Sequence, residues 1–208
     1  MGSKERRERD KLALRDKILD AARELFVERG YEAVSMRMIA NRIDYSPTAI
    51  YLHFRDKEAL FQELCAADFL TLAVVFREIS RVGDPVERLR QTGMVYARFA
   101  REKPHHYRLM FMTPTPAAET LSTVERRGNP EEDAYAFLVS TVRDGCQQGA
   151  FRTELCANPE QLAQIVWSGV HGIVSLRIAK CSDDWIEWAD EGETVEMMLD
   201  VLIRGITA

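Results

Sequence analysis

The chain has 208 residues, 46% hydrophobic and 29% charged, enough for a small module joined to a larger domain with its own core. Its net charge of −5 excludes a uniformly basic nucleic-acid binder, but the charge is unevenly spread: residues 1–55 hold 12 Lys/Arg against 9 Asp/Glu, and the remaining 153 carry a net −8. No uninterrupted apolar run reaches the roughly 18–20 residues of a membrane span, and the N-terminus is a charged run, so a cytoplasmic protein without a membrane partner is expected.

Residues 1–11 alternate in charge from Lys4 to Lys11 without an apolar face, which predicts a disordered arm with Arg6, Arg7 and Arg9 available to DNA. A first helix then carries Ile18, Leu19, Ala22, Leu25 and Phe26 and closes at Gly30. Ser35 is placed to cap a second helix with Met36, Ile39, Ala40 and Ile43 facing inward, and Asp44-Tyr45 make a turn. Ser46-Pro47 starts a third, short helix: a side-chain oxygen to cap free N–H groups, then a residue whose missing N–H costs nothing at the first helical position. Ile50 and Phe54 lie one turn apart, on the side that packs back. Two short helices around so tight a turn match the helix-turn-helix, whose second helix enters the major groove. Ser46, Pro47, Thr48 and His53 are therefore candidates for base or backbone contact and Tyr51 and Arg37 for phosphate contact, and Ser35, the cap of the second helix, joins them as a DNA-binding candidate. Asp56 caps the next helix and sets Lys57 in its first turn, where ammonium, free N–H groups and helix dipole suit a DNA phosphate.

Helix four is expected from Lys57 to about Arg81, marked by Leu60, Leu64, Phe69, Leu72 and Phe76. Asp84-Pro85, Asn129-Pro130 and Asn158-Pro159 each pair a capping side chain with Pro, predicting helices over 85–103, 130–149 and 159–180. A short helix suits Pro104 to Met112, residues 113–129 read as a loop, and a last helix fits Glu193 to Ile206. No strand pattern or internal repeat is present, so the fold class is all-α. Cys65, Cys146, Cys156 and Cys181 form no Cys-x-x-Cys pair; neither a zinc site nor a disulfide framework is indicated, and reduced thiols are expected.

On the ordered series Ile18 to Phe26, Gly30-Tyr31, Ser35, Ile39-Ala40, Ser46, Ile50-Tyr51, Phe54 and Lys57-Glu58-Ala59-Leu60, residues ~12–60 resemble the DNA-binding domain of the tetracycline-repressor (TetR) family of bacterial transcriptional regulators. The resemblance implies a helix-turn-helix domain over 12–58 and a ligand-binding and dimerisation domain over 59–208. Two positions depart from the family pattern. Asp44 stands where glycine is common, and Asp tolerates the left-handed conformation better than most residues. Thr48-Ala49 stands where a glycine-threonine pair is frequent, which bears on the choice of operator. Trp167-Ser168-Gly169-Val170-His171-Gly172 is similar to the mark of a regulatory-domain subgroup named for its Trp-His-Gly motif. Trp167 and His171 share one helix face, and Gly169 and Gly172 remove bulk so that another backbone can approach.

The family also implies a homodimer through the last two helices, double-stranded operator DNA of near-palindromic sequence, and release by a small-molecule effector. Candidate effector-binding residues are Tyr96, Phe99, Tyr107, Met110, Phe111, Phe137, Cys146, Trp167 and His171, aromatic and adaptable groups suited to an apolar ligand. No catalytic constellation, metal site or cofactor motif is recognisable. His105 and His106 are adjacent and so point to different faces, which speaks against the rival reading as an all-α enzyme. A second rival is a protein-interaction module with a vestigial head.

Overall fold

The computed structural model describes residues 3–113 and 127–208, and in these it is all-helical apart from an isolated bridge between Phe151 and Thr207. The expected loop over 113–129 lies mostly outside the described residues. The helices are α1 (Ser3–Arg29), α2 (Met36–Arg42), α3 (Pro47–Tyr51), α4 (Lys57–Ile79), α5 (Pro85–Glu102), α6 (Pro104–Phe111), α7 (Ala134–Gln147), α8 (Pro159–Lys180) and α9 (Glu191–Ile206).

The chain forms two compact units, one running to Asp68 and taking in the segment from His105, the other built from Phe69–Pro104 and the C-terminal helices. Both the expected boundary at residue 58 and the division between the compact units at Asp68 fall within α4. The first turns of α4 belong to the core of the N-terminal unit: Leu60, Phe61 and Leu64 of α4 and Leu109 of α6 pack with Ile18, Phe26, Ile39, Ile50 and Phe54. Phe26, Tyr31 and Phe61 form a ring cluster with centroids 4.9–5.5 Å apart. Asp68, 1% exposed, accepts from Arg23 Nε at 3.0 Å and Nη2 at 2.7 Å, and Asp20 accepts from Arg23 Nη1 at 2.6 Å. Burial alone would weaken the guanidinium charge, but these two carboxylates outweigh it and raise the Arg23 pKa.

The expectation of a disordered arm is corrected: α1 is helical from Ser3. Lys, Arg and Glu are good helix formers, and Lys4–Glu8 and Glu5–Arg9 place opposite charges four residues apart on the helix surface.

In the second unit α5, α7, α8 and α9 share a core of Leu89, Leu138, Val142, Phe151, Leu162, Val166 and Ile206. Close approaches replace bulk with glycine: a Cβ on Gly93 would stand 2.5 Å from Leu199 Cδ2, and one on Gly145 would stand 2.1 Å from the Phe151 ring. Asp84 and Asn158 cap α5 and α8 as the sequence predicts, accepting from Val86 N–H and Gln161 N–H. The predicted start at Pro130 is displaced to Ala134. Asp133 Oδ1 accepts from Tyr135 N–H and Ala136 N–H, while Asn129 closes a turn upstream through its carbonyl to Glu132 and Asp133. By length and composition α4 and α8 are apolar enough to cross a bilayer, yet α4 gives Leu60, Leu64, Leu72 and Phe76 to protein packing and α8 gives Leu162, Val166, Val170 and Val174.

The expectation of four reduced cysteines is also corrected: Cys146 and Cys156 are joined in a disulfide, and Cys65 and Cys181 are free. A spacing of ten residues carries no motif. The two sulfurs meet because the connection after α7 folds back on it.

Candidate nucleic-acid interface and effector site

The helix-turn-helix is assembled by local chemistry. Ser35 Oγ accepts from Met38 N–H and Ser46 Oγ from Ala49 N–H, both at 3.3 Å, so the two serines named as DNA candidates also cap α2 and α3. Asp44 sits at φ 58, the left-handed turn conformation anticipated for it, and Tyr45 N–H donates to Ala40 carbonyl at 3.0 Å. Arg42 ties α2 to α1 through Glu24 at 2.9 Å and Glu28 at 2.8 Å, and its hydrogen bond holds the Glu28 carboxyl below the usual range.

Buried Ile50 and Phe54 turn the opposite face of α3 outward. Pro47, Thr48 and Arg37 are exposed, and Tyr51 is 53% exposed. Leu52 (78%) and Tyr45 (42%) add exposed area that the sequence reading did not single out. His53 is half-buried, and its Nδ1 has no hydrogen-bond partner. Burial, then the cations Lys11 and Arg15, push the His53 pKa down. Lys11 and Arg15 are one turn apart on α1, so that helix brings positive charge near His53; their four-residue spacing was the available signal.

Lys57 is engaged within the protein. Its Nζ donates to Tyr31 carbonyl at 2.9 Å and Glu32 carbonyl at 3.5 Å and lies 4.2 Å above the Tyr31 ring centroid, while Asp56 caps α4 through Ala59 N–H at 2.7 Å. The lysine thus fastens the loop after α1 to the start of α4.

The effector candidates are distributed over both units. Tyr107, Met110 and Phe111 belong to α6 in the N-terminal unit, where Tyr107 is fully buried and its ring lies 5.0 Å from that of Phe111. In the second unit Phe99 is buried, and Phe137 packs on Phe76 at 5.6 Å. Cys146 is tied to Cys156. Three candidates do come together: Trp167 Nε1–H donates to Tyr96 Oη at 3.1 Å, and Tyr96 Oη lies 2.9 Å from His171 Nδ1. Burial lowers the His171 pKa and so favours neutral imidazole. The Tyr96 hydroxyl thus accepts from the indole N–H and shares a second hydrogen bond with Nδ1, whose direction follows the imidazole tautomer. Tyr135 extends the aromatic set, 5.9 Å from Trp167, with its hydroxyl accepting from Gln164 at 3.2 Å.

A groove of about 400 Å³ in this unit is lined by Phe137 together with Arg77, Arg88, Asn129, Ser140 and Asp144, polar residues none of which is among the effector candidates. Gly169 faces the Leu202 side chain, 2.8 Å from where a Cβ would stand, so a side chain and not a backbone fills the space at that position; beside Gly172 the space is open. No group of three or more metal-ligating side chains exists among the described residues.

Residues 18–64 match the family described as "Bacterial regulatory proteins, tetR family", and residues 89–202 match "Tetracyclin repressor-like, C-terminal domain". The HTH-type transcriptional repressor Rv1474c of Mycobacterium tuberculosis is 41% identical over 71 residues, 34% of this chain and 38% of that protein, so this match spans well under half of that relative. The HTH-type transcriptional repressor KstR2 of the same species is 27% identical over 146 residues, 68% of this chain and 70% of its own. A TetR family transcription regulator from Marinobacter aquaeolei has the same fold, with a TM-score of 0.73 and 21% identity over 98% of both chains. The outward face of α3, the capped turn and the matches over both units make this chain a member of the TetR family of helix-turn-helix transcriptional regulators, a non-enzymatic family.

Proposed function

We propose that the protein is a ligand-responsive repressor that binds a near-palindromic operator as a homodimer and is released by a small apolar effector. The observation that carries this reading is the exposed α3, capped by Ser46, which offers Thr48 and Tyr51 while Ile50 and Phe54 anchor it from behind. Thr48 and His53 read bases or the adjoining backbone; Tyr51, Arg37 and the remaining donor of Lys57 meet phosphates. The dimer forms through α8 and α9, whose exposed Ile165, Leu176, Met197 and Val201 remain after Val166, Val195, Leu199 and Ile203 have been spent on the unit's own core.

The effector site is centred on Tyr96, Trp167 and His171, in keeping with a Trp-His-Gly type of regulatory domain. KstR2 is described in a solved structure as a ketosteroid transcriptional regulator, and an apolar effector suits an aromatic set with few polar anchors. The effector lowers operator affinity by the ratio of its affinities for the DNA-competent and DNA-incompetent states, and by no more. Such a protein works in the bacterial cytoplasm.

Selection of bound duplexes from a random pool tests the reading: a recovered near-palindrome supports it, and absence of salt-dependent binding at low salt sinks it. Within that experiment Thr48→Ala shifts base preference, whereas Lys57→Ala weakens all sequences alike and lowers the salt slope by about one.

A further inference from the structure

We infer that Cys146 and Cys156 form a reversible thiol-oxidation site that takes hydroperoxides and resets operator affinity. The inference rests on the regulator reading, because a protein acting on DNA inside a bacterial cell meets a thiol-reducing environment, where a disulfide is characteristically transient and redox-sensing.

Cys146 is the penultimate residue of α7, and Cys156 lies in the 3-10 turn Leu155–Ala157 that leads to Asn158, the cap of α8. Their Cα atoms are 5.5 Å apart. The connection between them is held without the bond. Phe151 is 2% exposed and lies against Gly145, Ala150 N–H donates to Gly145 carbonyl at 2.9 Å, Arg152 N–H to Ile206 carbonyl at 2.8 Å, and Ala208 N–H to Ala150 carbonyl at 3.2 Å. An opened dithiol therefore keeps its two sulfurs close and can close again. Both cysteines are half-buried and within reach of a small oxidant. The other two thiols are set apart: burial pushes the Cys65 thiol up to about 12, and Cys181 is exposed but forms no disulfide.

The chemistry closes without another reagent. One thiolate attacks a peroxide oxygen; an S–O bond forms, the O–O bond breaks, and an alcohol or water leaves with the thiol's proton. The second thiolate attacks the sulfenic sulfur; the S–S bond forms, the S–O bond breaks and water leaves. Two electrons pass from the sulfur pair to the peroxide. Two reductant thiols reverse the change by exchange. The bond clamps the approach to α8 onto α7, and both cysteines pack on the same core cluster as Trp167. Oxidation state thus reaches the helix that carries Trp167 and His171.

The full-length protein, reduced and then treated with hydrogen peroxide, is alkylated, mapped by mass spectrometry and assayed for operator binding. The expected result is loss of alkylation at Cys146 and Cys156 with retention at Cys65 and Cys181, reversal by reduced glutathione, and a change in operator affinity of about threefold or more. Cys146→Ser and Cys156→Ser each leave a sulfenic acid trapped by dimedone on the other cysteine, and the double variant keeps one affinity under both treatments. A bond that glutathione cannot open in the folded protein, thiols that never pair, or equal operator affinity of the two forms overturns the inference. Normal pairing with no DNA binding in either form overturns the regulator reading instead and leaves the dithiol site standing.

Discussion

His53 in the N-terminal unit and His171 in the C-terminal unit both titrate below the ordinary histidine value, but for different reasons. Burial and the nearby cations Lys11 and Arg15 depress His53, whereas burial alone depresses His171, which lies 2.9 Å from the Tyr96 hydroxyl. The same contrast runs through the two units. The first is braced by charge, with Arg23 on Asp68 and Arg42 on Glu24 and Glu28, and turns polar groups outward on α3. The second joins its helices by close approaches at Gly93, Gly145 and Gly169 beside the ion pairs Arg88–Asp144 and Arg90–Asp200, and pairs the polar atoms of Tyr96, Trp167 and His171 with one another. A surface built for a polyanion needs the first arrangement; a site for a small apolar molecule needs the second.

Removing the buried ionic brace gives the largest expected effect. Asp68→Ala leaves Arg23 buried without its main partner and should cost about 3–5 kcal/mol in denaturant unfolding. Arg23→Met with Asp68→Leu should recover most of that loss, since an apolar pair of similar volume removes the unpaired charge. If the single variant unfolds like the wild type, charge is not what braces the first unit.

The matching test in the second unit is Gly145→Ala, whose methyl would stand 2.1 Å from the Phe151 ring. Overpacking of this kind should cost about 1–3 kcal/mol and loosen the connection from α7 to α8, seen as faster amide exchange at Arg152 and Ala208. Tyr96→Phe asks the polar counterpart of the same question. Without the hydroxyl, Trp167 Nε1 and His171 Nδ1 lose this partner, for about 1–2 kcal/mol, and an unchanged melting temperature would show that water replaces it.

How much of this was legible in the sequence follows the same division. The N-terminal unit depends on near neighbours: Ser35 and Ser46 reach N–H groups three residues on, and Asp44 takes its left-handed turn alone, so a linear reading finds them. The meetings of Arg23 with Asp68, Tyr96 with His171 and Cys146 with Cys156 depend on how helices pack. No local spacing encodes them. Lys57 shows the limit from the other side: its position in the first turn of α4 suggested a phosphate, but no local spacing announced that Tyr31 and Glu32 carbonyls from the loop after α1 would share its ammonium. The start of α7 moved because Asp133 competes with Asn129 for the role of cap, a contest between two good candidates that composition cannot decide.

Loss of a cap is smaller. Ser46→Ala removes the acceptor for Ala49 N–H and should cost about 1 kcal/mol in stability, with a larger relative loss of DNA affinity because the first turn of α3 frays where it meets the groove. Equal losses in stability and affinity would assign Ser46 to the fold alone.

The smallest effect returns to the two histidines. Each has a folded pKa below its ordinary 6.5, so the unfolded chain binds more protons in the window just below that value. Stability is therefore complete above pH 6.5 and falls as pH drops toward the folded values, below which the loss stops growing. His53→Gln and His171→Gln should each remove part of this slope. Salt separates the causes: raising it from about 0.05 to 0.5 M screens Lys11 and Arg15 and lets the His53 pKa climb, while His171, held down by burial, stays put. Imidazole proton chemical shifts followed through both titrations read the two values directly. A His171 that moves with salt as far as His53 would mean that charge, and not enclosure, governs the inner site.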